Sequence, residues 1–101
     1  MFIYSITYNI ETDIETDWMG WMRIVHLPRI MATGYFVDYK MYRLLDVKEE
    51  GSTYSIQFFA SSLDKIQTYL EQEAPMFAEE HNHRYRHKHV AFRTVLQEID
   101  K

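Results

Sequence analysis

An α+β fold of order βαββαβ is what the sequence predicts, and three observations predict it. Apolar residues alternate at period two in the opening, middle and closing stretches. Between them lie two segments with apolar residues at helical period, each begun by a capping residue and each interrupted by a proline. Nothing resembling a linker or a low-complexity run separates them, so the 101 residues read as one domain, 1–101.

The first strand runs over Phe2, Tyr4, Ile6, Tyr8 and Ile10, which alternate with Ile3, Ser5, Thr7 and Asn9. Thr12-x-x-Glu15 then has the form of a capping box, with Glu11, Asp13 and Glu15 at the positive end of a helix dipole. Ile14, Trp18, Trp21, Met22 and Val25 make one apolar stripe, and His26 lies on its flank. Pro28 predicts a break or bend near His26 and Leu27, and as a first-turn residue it can open a short second helix that Gly34 ends in left-handed conformation.

A long β-rich stretch, Tyr35 to about Val47, leads into the turn Lys48-Glu49-Glu50-Gly51 and the strand Ser52 to Ala60. A four-residue turn would set Val47 opposite Ser52, Leu45 opposite Tyr54 and Met41 opposite Phe58. Ser61 or Ser62 caps the next helix, whose stripe is Leu63, Ile66, Tyr69 and Leu70. Pro75 interrupts it, and Met76, Phe77, His81 and Tyr85 continue on a second piece. The last strand spans about His89 to Ile99.

This order is that of the ferredoxin-like sandwich, two split βαβ units with both helices on one face of a four-stranded antiparallel sheet. The other face is left bare. It is expected to carry Ser5, Thr7, Asn9, Tyr42, Ser55, Gln57 and Arg93, with Phe36, Leu44 and Phe59 among them. Such a face is too apolar for solvent alone. A second copy packed over it, giving a dimeric α+β barrel, is the economical arrangement. The high aromatic content, 16% with 8 Tyr, supports an interface or pocket beyond the core.

The net charge of −4 argues against bulk binding to nucleic acid or an anionic membrane surface. No apolar run approaches the ~20 residues of a membrane span, and MFIYSITYNIETD lacks the basic start and unbroken apolar core of a signal peptide, so the expected location is cytoplasmic. There is no cysteine, hence no disulfide and no thiol nucleophile. No Gly-rich phosphate loop or nucleophile elbow is present, and no cofactor is implied.

His81, His83, His87 and His89 are the tempting cluster, with His83 and His87 four apart. Arg84, Arg86 and Lys88 are interleaved, which disfavours a divalent ion, and the helix is expected to end inside the run; no metal site is assigned. The third strand, Glu50-Gly51-Ser52-Thr53-Tyr54, lacks the basic and aromatic positions of an RNA-recognition sheet. An acylphosphatase-like anion cradle is opposed by Glu11 and Asp13 after the first strand.

Two functional readings remain. In the first, the protein is a sheet-to-sheet homodimer that binds a small molecule or a protein partner, with Thr7, Asn9, Tyr42, Gln57 and Arg93 lining a polar-aromatic interior and the mid-strand Arg93 either making an inter-subunit hydrogen bond or ion pair or capturing a carboxylate or other anion. In the second, His26 serves as acid or base in a cofactor-independent enzyme.

The segments IYSITYNI, W-x-x-W-M-x-x-x-H-L-P, A-T-G-Y-F, T-Y-S-I-Q-F-F and V-A-F-R-T-V-L, in this order and spacing, resemble a family of small bacterial proteins built on a domain of unknown function. The resemblance covers nearly the whole chain. It implies a ferredoxin-like fold akin to the dimeric α+β barrel proteins, and it implies no activity and no catalytic residue.

Overall fold

The computed structural model describes residues 1–101. The strands are β1 (Phe2–Ile10), β2 (Asp38–Arg43), β3 (Ser52–Ala60) and β4 (His89–Gln97). A 3-10 turn (Thr12–Ile14) leads into α1 (Glu15–Trp21), a π-helical segment (Met22–His26) and α2 (Leu27–Ala32). The second helical arm is α3 (Leu63–Gln72) and α4 (Ala74–Arg84). The four strands form one antiparallel sheet in the order β2-β3-β1-β4, the ferredoxin-like topology the sequence predicts.

The register divides the sheet into two faces. The inner, helix-covered face has rows running across the strands, such as Tyr39–Phe58–Tyr4–Val95 and Met41–Ile56–Ile6–Arg93. Its centre is buried with Trp18, Met22, Leu27, Ile30, Phe36, Ile66, Tyr69 and Phe77. The outer face carries the rows Tyr42–Ser55–Thr7–Phe92 and Lys40–Gln57–Ser5–Thr94.

Four expectations are corrected here. The Thr12–Glu15 capping box does not form, since the helix start has no side-chain cap. Glu15 instead accepts from the Ser52 hydroxyl at 2.9 Å and from the Tyr54 hydroxyl, tying α1 to β3. Second, β2 is shorter than expected and Met41 faces Ile56, with Tyr39 facing Phe58. The cause lies in the loop. Asn9 Nδ2 donates to the Glu50 carbonyl and to Thr53 Oγ1, and Gly51, at φ +84°, lies against the Ile10 carbonyl. These contacts fix the β3 end, while Asp46 at φ 59° turns the chain so that Leu45 stands 77% exposed, out of the ladder.

Third, Arg93 lies on the inner face, because its partner Ile6 is a buried inner-face residue. Phe36 is likewise in the core, stacked with Tyr4 and Phe58, rather than on the outer face.

Fourth, the helical run changes character at His26 and Leu27, as expected, but through a π turn over Met22–His26 that takes Val25 out of the apolar stripe. An α-helix continued from Trp18 and Met22 would turn Val25 inward. The wider π turn, in which the Leu27 N–H reaches back to the Met22 carbonyl, rotates the frame by one residue. Val25 is left 38% exposed, and His26 enters the core beside Leu27 and Ile30. Pro28 then sits in the first turn of α2, where its missing N–H costs little. Gly34 follows α2 at φ +86°, as expected of the cap. Ser62 caps α3 by accepting from the Lys65 N–H, and Pro75 opens α4.

Candidate functional site

The π turn sets His26 at 2% exposure among aromatic rings. It stacks on Trp21 at 4.6 Å and meets Phe77 edge-on at 5.8 Å. Its Nδ1 is buried and has no hydrogen-bond partner. Burial lowers the pKa to about 4; Glu80 opposes that shift and Arg29 adds to it. At neutral pH this imidazole is uncharged.

His81, from α4, lies 5.9 Å from His26, centroid to centroid. The Trp18 indole N–H donates to its Nε2 at 2.9 Å. An indole nitrogen only donates, so Nε2 is the bare nitrogen and the ring proton belongs on Nδ1. His81 also stacks on Tyr8 at 4.7 Å and touches His89 at 4.5 Å. Its pKa falls to about 3, first through burial, then through His89, His26 and Arg93. The histidine-rich run is therefore split. His81 is core, α4 ends at Arg84, and His87 sits beyond it at φ 65°. No group of three or more His, Cys, Asp or Glu side chains is arranged to hold a metal ion.

Arg93 joins His26 rather than the other ligand candidates. Together with Tyr4, Tyr8, Tyr69 and Phe77 they line a cavity of about 10 Å³, room for about one water molecule. The guanidinium lies beside the Tyr4 hydroxyl. Burial raises the pKa of Tyr4, Tyr8 and Tyr69, and Arg93 partly offsets it in each, so all three remain phenols. Arg93 makes no ion pair, whereas Arg29, Arg43, Arg84 and Lys88 each have a carboxylate within reach. Arg93 is exposed and unpaired at the mouth of this cavity, with the Tyr4 hydroxyl beside it, and a guanidinium so placed can offer charge-assisted donors to an incoming anion.

Thr7, Tyr42 and Gln57 lie on the outer face, and Asn9 shares that face while bonded to the β2–β3 loop. The tyrosines around Arg93 and the Trp18–His81 pair were not anticipated. Arg93 lies on the tyrosine side because the antiparallel ladder pairs it with Ile6, a register that the alternation of either strand alone does not set.

A family model, the domain of unknown function DUF4286, matches residues 1–99. The chain belongs to the DUF4286 family. A search of curated proteins finds no match for it. Among solved structures, this DUF4286 chain is similar to SnoaB, a cofactor-independent oxygenase from Streptomyces nogalater, at 13% identity and TM-score 0.66, covering 99% of this chain and 94% of the other. It is similar to the hydroxynitrile lyase of Passiflora edulis at 14% identity and TM-score 0.65, covering 99% and 97%. It is also similar to a dimeric ferredoxin-like protein from an uncultured marine organism at 12% identity and TM-score 0.58, covering 99% and 97%. An oxygenase and a lyase on one scaffold share a fold, not a chemistry, and the fold alone carries over to this DUF4286 chain.

Proposed function

We propose that the protein is a homodimer that binds a small anionic molecule, a carboxylate or enolate, with the anion's oxygens held by Arg93 and the tyrosines behind it. The observation that carries this reading is the unpaired Arg93 on the inner face, opening onto the cavity shared with His26 and the tyrosines. The cavity holds about one water molecule, so the anion's oxygens meet Arg93 at its exposed side, at the cavity mouth, and the rest of the ligand stays outside. The dimer is argued from the outer face, where Phe92 is 65% and Val90 56% exposed beside the polar rows of β1 and β3. A second copy laid sheet to sheet removes that apolar surface from water. In this arrangement Thr7, Asn9, Tyr42 and Gln57 serve the subunit interface or a ligand held within it.

A second reading rests on His26. Its neutral ring and unpartnered Nδ1 at the same cavity could take a proton from a bound substrate, making the protein a cofactor-independent enzyme with His26 as acid or base. An anion held on Arg93 would raise the His26 pKa from about 4 toward the working range.

Native mass spectrometry of protein purified gently from its host tests the first reading. The expected result is a dimer carrying a discrete extra mass that Arg93→Gln loses. A monomer overturns the dimer, and a bound mass that Arg93→Gln retains overturns the assignment of Arg93. The second reading requires that His26→Gln keep the mass bound while changing its turnover to product.

A further inference from the structure

The helices leave part of the inner sheet face uncovered. Between α1 and β2 lies a cleft of about 560 Å³, within the usual range for small-molecule sites. It shares no lining residue with the Arg93 cavity. Met19 from α1 and Tyr39, Met41 and Tyr54 from the sheet give it apolar walls, and Arg23 and Arg43 bring two guanidinium groups to it.

The two arginines differ in how they are held. Arg43 lies over the Tyr54 ring at 5.9 Å, reaches the Ser52 hydroxyl at 3.4 Å and has Glu15 4.0 Å away. Glu15, which also accepts from Ser52 and Tyr54, is its counter-ion at the long end of ion-pair reach, so Arg43 is held in place with part of its guanidinium still facing the cleft. Arg23 stands in the first turn of the π segment, exposed and without an ion-pair partner. The one acid lining the cleft, Asp38, accepts from the Tyr39 N–H at 2.8 Å. Among the lining side chains two guanidiniums face one carboxylate, Asp38, with Glu15 behind Arg43, so Arg23 is the cation of the cleft left without a partner beside methionine and tyrosine.

We propose that this cleft is a second ligand site, for a flat apolar carboxylate such as an aryl acid. The ring lies between Met19 and the Tyr39–Met41 wall, where thioether and aromatic surfaces adapt to it. The carboxylate meets the guanidinium forks of Arg23 and Arg43. The inference stands apart from the Arg93 reading, and each can fail alone.

The test is an NMR titration of the full-length protein, labelled at the methionine methyls, with a naphthoate. Met19 and Met41 are expected to shift, and Met31 and Met76, outside the cleft, to stay. Arg23→Gln is expected to weaken binding about tenfold, the loss of one charge-assisted contact, and Arg43→Gln to do the same. Arg93→Gln leaves the titration unchanged. The site is overturned if Met19 and Met41 do not move. It is equally overturned if Arg23→Gln, whose exposed side chain makes its folding secure, binds as tightly as the parent, or if Arg93→Gln abolishes the shifts.

Discussion

Acid should destabilise this protein through its buried histidines before its carboxylates protonate. His26 is held near pKa 4 against 6.5 for a free histidine, and the cause is burial. The unfolded chain therefore binds a proton that the folded chain refuses between about pH 6.5 and 4. Stability is complete above 6.5, falls by about 1.4 kcal/mol per pH unit for this group as the pH drops, and levels off below 4. The loss from His26 alone is about 3 kcal/mol, against a total of roughly 5–15 kcal/mol for a domain of this kind. His81, near 3 and also buried, adds a loss at least as large and extends it to lower pH. Glu15, whose pKa is lowered by its bond from Tyr54, contributes stability that is lost below about 4.5, largely under the histidine window. The variant His26→Phe keeps an aromatic ring between Trp21 and Phe77 and removes the titration. Urea unfolding followed by tryptophan fluorescence, at one protein concentration from pH 7 to pH 4, gives the comparison. Whatever the substitution costs at pH 7, it should gain about 3 kcal/mol on the parent by pH 4. Parallel stability profiles for the two proteins would refute the reasoning.

Gly51→Ala should cost about 2 kcal/mol or more in the same assay, because its Cβ would meet the Ile10 carbonyl and its φ is +84°. Gly34→Ala, at φ +86° with open space around it, should cost only about 1 kcal/mol; equal losses at the two sites would contradict the packing described. Trp18→Phe removes the donor to His81 Nε2 and should cost about 1–3 kcal/mol while raising the His81 pKa, read from its ring NMR signals. Phe92→Asp, on the outer face, should leave the helix-covered core folded and halve the mass measured by analytical ultracentrifugation.

The topology was legible because two periodicities carry it. The alternation of β1 and β3 and the capped, proline-interrupted helices leave few arrangements for so short a chain. The face assigned to Arg93 was misread because alternation gives which residues share a face, not which face meets the helices. Only the pairing of Ile6 with Arg93 decides that, and pairing is a tertiary fact. His26 was placed at the flank of an α-helical stripe. It is buried because the π turn adds a residue to the helical frame, and no composition signal beyond Pro28 announces such a turn. The hairpin slipped by two residues for a similar reason: Asn9, on another strand, bonds the loop and sets its end. A slip of two preserves the faces, so the core survived the error. The Trp18–His81 bond joins residues far apart in sequence, and each read singly as part of an apolar stripe.

In the proposed function, Arg93, with the tyrosines and His26, receives an anion on the inner face. This binding is tested most directly by titrating the protein with benzoate while recording the side-chain nitrogen signals of Arg93 and the histidines. Arg93 Nε and the His26 ring should shift together, the His26 pKa should rise as the anion binds, and Arg93→Gln should abolish both effects. An Arg93 signal that stays still while benzoate binds elsewhere, or a His26 pKa that does not move, would contradict it.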